Sequence, residues 1–103
     1  MGQIRWTERA RADLKSIFDY IALDSAFYAH RFLRQLIGAT RKLETLPLCG
    51  KPLAELPRQD LREVVYAGYR LIYRARGKSV EILAVVDGRR DVARLAKEEW
   101  HLD

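Results

Sequence analysis

Residues 61–91 read LREVVYAGYRLIYRARGKSVEILAVVDGRRD, and their reading decides the fold. Three runs rich in β-branched and aromatic residues stand here, Leu61–Tyr66, Tyr69–Arg74 and Ser79–Val86. Ala67-Gly68 separates the first two and Arg76-Gly77-Lys78 the second and third. Gaps this short, each holding a glycine, close tight hairpins, so the runs predict an antiparallel meander. On the middle run Tyr69, Leu71 and Tyr73 share one face and Arg70, Ile72 and Arg74 the other. On the third, Val80, Ile82, Ala84 and Val86 alternate with Glu81, Leu83, Val85 and Asp87. Leu83 and Val85 make that strand apolar on both faces, as a central strand is, or one whose second face a partner covers.

Upstream of the meander, Leu48 to Asp60 is broken by Gly50, Pro52 and Pro57 and reads as a loop pinned by Leu48, Leu53 and Leu56. Earlier still the period changes from two to three or four. Leu14, Ile17, Phe18 and Ile21 form one helical stripe behind Thr7, an N-cap residue, and Glu8, whose charge suits the first turn. That helix ends near Leu23. Asp24-Ser25 caps a second, with Ala29, Phe32, Leu33, Leu36, Ile37, Thr40 and Leu43 in its stripe and Pro47 as its stop. So short a break makes the two an antiparallel hairpin, whose shared apolar side needs the sheet to cover it. Gln3 to Trp6 is a short extended segment. Beyond Asp91 a weak helical pattern reaches Leu95, followed by the polar tail KEEWHLD.

The chain has 103 residues, one domain's worth, with 49% hydrophobic and 32% charged residues, a globular balance. A net charge of +5 favours anionic partners such as nucleic acid or acidic protein segments. One cysteine, Cys49, excludes an internal disulfide and fits a reducing cytoplasm. No run approaches membrane-spanning length, and the first ten residues lack the apolar core of a signal peptide, so a cytoplasmic location without membrane contact is expected.

Signatures of enzymatic chemistry are sparse. His30 lies on a helix and His101 in the tail; no metal-ligand spacing, phosphate loop or nucleophile motif appears, and no cofactor is expected. The arginines are what remains. Arg62, Arg70, Arg74, Arg89 and Arg90 fit either a concave basic sheet face suited to phosphate or a solvated sheet surface with some of them paired to Glu63, Glu81, Asp87 or Asp91. Arg70 differs, because a mid-strand charge, if covered, needs a partner such as Glu63 or Asp91. Tyr20, Phe27 and Tyr28 gather around the interhelical turn, where they either pack the helix hairpin or form an exposed patch that docks another protein.

In order and spacing these landmarks resemble the ParE branch of the RelE/ParE superfamily of bacterial toxins from toxin–antitoxin pairs. The similarity runs through Ala12-Asp13-Leu14, Ile17 and Tyr20-Ile21, then Asp24-Ser25, Ala29, Phe32, Leu46-Pro47 and Gly50. It continues through Leu61-Arg62-Glu63, Gly68-Tyr69-Arg70-Leu71-Ile72-Tyr73 and Val86-Asp87-Gly88-Arg89-Arg90-Asp91. The resemblance implies an α+β fold: an N-terminal strand and an antiparallel helix hairpin packed on an antiparallel sheet, with a short C-terminal helix.

It further implies a cognate antitoxin, ParD-like or another small protein with a segment that folds on binding, and a toxin–antitoxin hetero-oligomer. Tyr20, Phe27, Tyr28, Leu83 and Val85 are the expected antitoxin contacts. ParE-like members poison DNA gyrase by stabilising cleaved DNA complexes; the expected target contacts are Arg70, Arg74, Arg89, Arg90, Asp91 and Trp100. RelE-like members instead cut messenger RNA on the ribosome. For that alternative Arg62, Arg70 and Arg89 fall at the basic positions. Glu63 or Val64 stands where a further lysine is expected, however, and Leu95 where the C-terminal tyrosine is. Without an acid–base group near Leu95, cleavage through the ribose 2′-OH loses a contribution of roughly 100-fold or more, and only His101 offers a substitute.

Overall fold

The computed structural model describes residues 2–100. In chain order it has strand β1 (Gln3–Trp6), helices α1 (Glu8–Ala22) and α2 (Ala26–Gly38), a 3₁₀ turn (Arg41–Glu44), strands β2 (Lys51–Pro52), β3 (Leu61–Tyr66), β4 (Tyr69–Arg76) and β5 (Ser79–Asp87), and helix α3 (Val92–Glu99). One sheet carries all five strands in the order β1-β5-β4-β3-β2. The meander is antiparallel, as its spacing predicts, and β1 joins it parallel to β5. The α1/α2 hairpin covers one face and α3 part of the other, the α+β arrangement expected.

Local chemistry sets the boundaries. The two-residue turn between β3 and β4 holds Ala67 at φ 51° and Gly68 at φ 86°, the paired left-handed geometry that matches strand twist in tight hairpins. The Thr7 side chain caps α1 by accepting from the Ala10 N–H at 3.1 Å, and Ser25 caps α2 by accepting from Tyr28 at 3.1 Å. Helix α2 stops at Gly38, well before Pro47. There the Thr40 hydroxyl donates to the Ile37 carbonyl at 2.7 Å and the Thr40 N–H reaches the same carbonyl at 3.0 Å. Those i−3 bonds tighten the chain into a 3₁₀ turn. Leu43 still reaches the core from that turn, whereas Ile37 is exposed.

Two hydrophobic clusters lie on opposite faces of the sheet. Beneath the hairpin, Ala10, Ile17, Phe32, Leu36 and Leu43 meet Val64, Leu71, Tyr73, Val80, Ile82 and Val85. Under α3, Leu53, Leu61, Ile72, Leu83, Ala84 and Val86 meet Val92, Leu95, Ala96 and Trp100. The loop before β3 is therefore pinned by Leu53, with Leu56 packed against it, but not by Leu48, which is exposed.

The alternation on β5 needs correction. Tyr73 pairs with Ile82 but Ile72 with Ala84, so Leu83 is an extra residue, a β-bulge. The bulge turns Ala84 and Val86 to the α3 side and Val85 to the hairpin side. Leu83 and Val85 thus lie on opposite faces, each buried by the chain's own helices. Of the two explanations for a doubly apolar strand, position inside the sheet accounts for it.

Candidate functional site

The arginines occupy four different environments rather than one basic face. Arg70 stands on β4 in the α3-side face, across from Val65 and Val86. Its Nε and Nη2 donate to the Glu63 carboxylate at 2.7 and 2.9 Å. Its Nη1 and Nη2 donate to Glu55 at 2.7 and 2.9 Å. The Glu63 side chain is only 7% exposed and that of Arg70 12%, so this is a largely desolvated charge cluster built for geometry. The Arg70 hydrogen bond is the main reason the Glu55 carboxyl is held down to about 2. The bonds Arg70 donates to Glu55 and then to Glu63 in turn raise the guanidinium's own pKa. The sequence offers Glu63 as a partner, but not Glu55, which stands in a loop without periodicity. A guanidinium filled on both edges has no open fork for a phosphate, which corrects Arg70 as a target or substrate contact.

Arg62 lies across from Tyr73, the side of the sheet opposite Arg70, and donates Nη1 to the Gly50 carbonyl at 3.0 Å. The Gly50 N–H in turn donates to the buried Tyr73 hydroxyl at 2.9 Å. A Cβ on Gly50 would sit 2.5 Å from that hydroxyl oxygen, so no larger residue fits without displacing the ring. Burial is the leading reason the Tyr73 phenol is pushed up from its ordinary value. Arg62 therefore fastens the loop at β2, a two-residue strand whose proline hid it from the sequence reading.

Arg74 is buried and contacts Glu81 at 3.4 Å, while Arg5 on β1 grips the same carboxylate at 2.6 Å. Asp91 caps α3, accepting from the Arg94 N–H at 3.1 Å, and is a structural residue. Trp100 is buried in the α3-side cluster, not presented to a target as expected. Only Arg89 and Arg90 of the basic set are exposed, in the turn between β5 and α3. Arg89 rests on Asp87 at 3.3 Å with its side chain 93% exposed, and the Arg89 backbone N–H, followed by that side-chain contact, keeps the Asp87 carboxyl low. Leu95, at the position of the missing tyrosine, is buried, and His101 lies outside the described residues.

A second exposed feature is apolar. Tyr20, Leu23 and Phe27 are 73%, 83% and 78% exposed around the α1–α2 turn, and Tyr28 is 53% exposed beside them. Tyr28 continues inward through Phe32 to Tyr66 and Tyr69, with ring centroids 5.9–6.2 Å apart. Three of the four patch residues are legible in the sequence, where Leu23 reads as the end of the helix.

Asp13, within the family-like stretch Ala12-Asp13-Leu14, lies on α1. Strand β1 ends opposite Ile82, leaving the rest of the β5 edge without a strand partner. The Asp13 carboxylate accepts the Val85 N–H there at 2.9 Å, and the Thr7 hydroxyl donates to the Leu83 carbonyl at 3.1 Å. Helix α1 thus completes the sheet with side chains.

This hairpin-on-sheet architecture is that of RelE/ParE-like toxins of type II toxin–antitoxin systems. Residues 4–92 match the family described as the ParE toxin of the type II toxin–antitoxin system parDE, and the chain belongs to that family. Among solved structures it is similar to the chromosomal ParDE system of Pseudomonas aeruginosa, with 23% identity and a TM-score of 0.71. That match covers 84% of this chain and 96% of the other. It is also similar to the toxin–antitoxin complex RelBE2 of Mycobacterium tuberculosis, with 27% identity, the same coverage of 84% and 96%, and a TM-score of 0.61. No match is found among curated proteins.

Proposed function

We propose that this toxin acts in the cytoplasm as a gyrase poison, stabilising cleaved DNA complexes until a cognate antitoxin neutralises it. The observation that carries this over the ribonuclease reading is the dispersal of the nuclease arginines. Arg62 is bound to Gly50 on the hairpin side, Arg70 is enclosed by Glu55 and Glu63, and Arg89 stands in an exposed turn. Leu95 is packed where an acid–base group would have to act. Phosphate contact and proton transfer at one ribose need convergent groups, and these diverge.

On this reading Arg89 and Arg90 meet the target and the Tyr20–Leu23–Phe27–Tyr28 patch takes the antitoxin. An antitoxin segment that folds as it binds loses conformational entropy and needs large apolar side chains to offset that. The patch supplies four of them; Leu83 and Val85, already covered, supply none. The toxin–antitoxin pairing seen in the two structural relatives favours such a hetero-oligomer. Primer extension on translated messages after induction tests the choice: intact messages in growth-arrested cells are expected, and discrete codon-linked cuts would reverse it.

A further inference from the structure

Helix α2 buries Ala29, Phe32 and Leu36 against the sheet. On its opposite, exposed side Phe27, Arg31, Arg34 and Gly38 recur at the spacing of one helix face. The turn that follows adds two more exposed cations, Arg41 and Lys42. From Ser25 to Leu43 the chain holds no Asp or Glu, and Asp24 and Glu44 stand just outside the two ends. The carboxylates of the neighbouring helix α1 are engaged elsewhere. Lys15 takes Asp19 at 2.7 Å, Asp13 holds the Val85 N–H, and Glu8 lines a recess beside Trp100 on the α3 side. Among the described residues, the side chains of Arg31, Arg34, Arg41 and Lys42 make no hydrogen bond or ion pair. They differ in this from Arg62, Arg70 and Arg74, which the fold holds.

Gly38 has no structural reason of its own. Its φ is not left-handed, and a Cβ there would meet nothing within 4 Å, so alanine would fit and favour the helix. The glycine leaves bare backbone between two pairs of unengaged cations. We propose that this face seats duplex DNA, with α2 laid across a groove. Arg31 and Arg34 meet one phosphate ridge, and Arg41 and Lys42 the other. The seven residues from Arg34 to Arg41 rise about 10 Å, against a major groove about 12 Å wide, and the reach of the side chains covers the difference. At Gly38 no side chain holds the helix away from the groove. Each guanidinium brings its full set of donors to phosphate oxygens, and release of condensed counterions supplies the affinity. An acidic protein segment would share the charge complementarity but not the spacing of two ridges. The bare glycine would also give it no apolar contact between the charges.

The inference stands apart from the gyrase reading, because it concerns α2 rather than the turn at Arg89 and its test contains no target enzyme. The test is fluorescence anisotropy of a short labelled DNA duplex, with one of its strands alone in parallel. Four phosphate contacts predict a slope of log affinity on log salt of about −3 to −4. Arg31→Ala, Arg34→Ala and Arg41→Ala are each expected to weaken duplex binding roughly tenfold and to flatten that slope by about 1. Gly38→Leu is expected to weaken binding as well while Tm stays level or rises, which a residue needed merely for folding would not show. Lys51→Ala, the same charge change beside Glu63 and Arg70 on the α3-side face, is the control and should bind as the wild type does. Equal losses at Lys51 and Arg34 would reduce the effect to net charge and overturn the proposal. Unchanged binding in Gly38→Leu would overturn the seat on α2, and equal affinity for the single strand would overturn the two-ridge geometry. Undetectable duplex binding, or capture of a polyglutamate peptide in preference to DNA, would overturn the proposal outright.

Discussion

Replacing Arg70 by alanine should unfold this protein more readily rather than blunt an active site. The substitution leaves Glu63, 7% exposed, as a buried negative charge on the α3-side face without its partner, while Glu55, 32% exposed, relaxes toward water. Breaking a buried pair from one side costs about 3–5 kcal/mol, and the partial exposure of Glu55 argues for the lower figure, about 3 kcal/mol. For a domain of this length each kcal/mol shifts Tm by about 4–8 °C, so Tm should fall by roughly 12–24 °C. Urea unfolding should show a lower midpoint with an unchanged slope. The double variant Arg70→Met, Glu63→Leu removes both charges and should recover most of the loss. Acid provides an independent check. Glu55 has a folded-state pKa of about 2 against an ordinary 4.5, so its contribution is fully present above the ordinary value and is lost as pH falls toward 2. That slope of stability with pH should be absent from Arg70→Ala. A variant with wild-type Tm and an unchanged acid profile, yet without toxicity, would refute the reasoning and return Arg70 to the functional surface.

Other perturbations separate scaffold from contact. Arg89→Ala and Arg90→Ala, in an exposed turn, should lower toxicity in an induction assay while Tm stays within about 2 °C; unchanged toxicity would remove the turn from the target surface. Phe27→Ser with Tyr20→Ser should weaken capture of the antitoxin at least tenfold by titration calorimetry without loss of fold, since both rings are more than 70% exposed. Tyr73→Phe should cost about 1–3 kcal/mol in urea unfolding, because the buried Gly50 N–H loses its acceptor. Ala67→Asn should stabilise by about 0.5–1 kcal/mol, relieving an alanine at φ 51° in a turn that prefers asparagine before glycine.

The strands and their turns were legible because alternation and glycine placement are local. So were the helix caps, the use of Gln3–Trp6 as a strand and three residues of the exposed aromatic patch. What escaped depends on contacts distant in sequence. A single extra residue at Leu83 inverts the second half of β5, and no periodicity announces it. The end of α2 is set by Thr40 bonding back to Ile37, a competition that a hydrophobic stripe does not display. The arginines were visible as a set, but their sides were not. Arg62 answers to Gly50 across an unrecognised two-residue strand, and Arg70 to a glutamate in an irregular loop. Asp13 shows the converse: a residue noticed in the family pattern acquires a physical reason once the unpaired edge of β5 is seen.

The central claim is that a toxin of this fold, with its nuclease arginines dispersed, acts on gyrase. The direct measurement is DNA supercoiling and cleavage by purified gyrase with increasing amounts of the protein. Loss of supercoiling accompanied by accumulating linear, protein-linked DNA is the predicted result. Gyrase that supercoils normally at concentrations of folded protein sufficient to arrest cells would contradict it and direct the search to the ribosome.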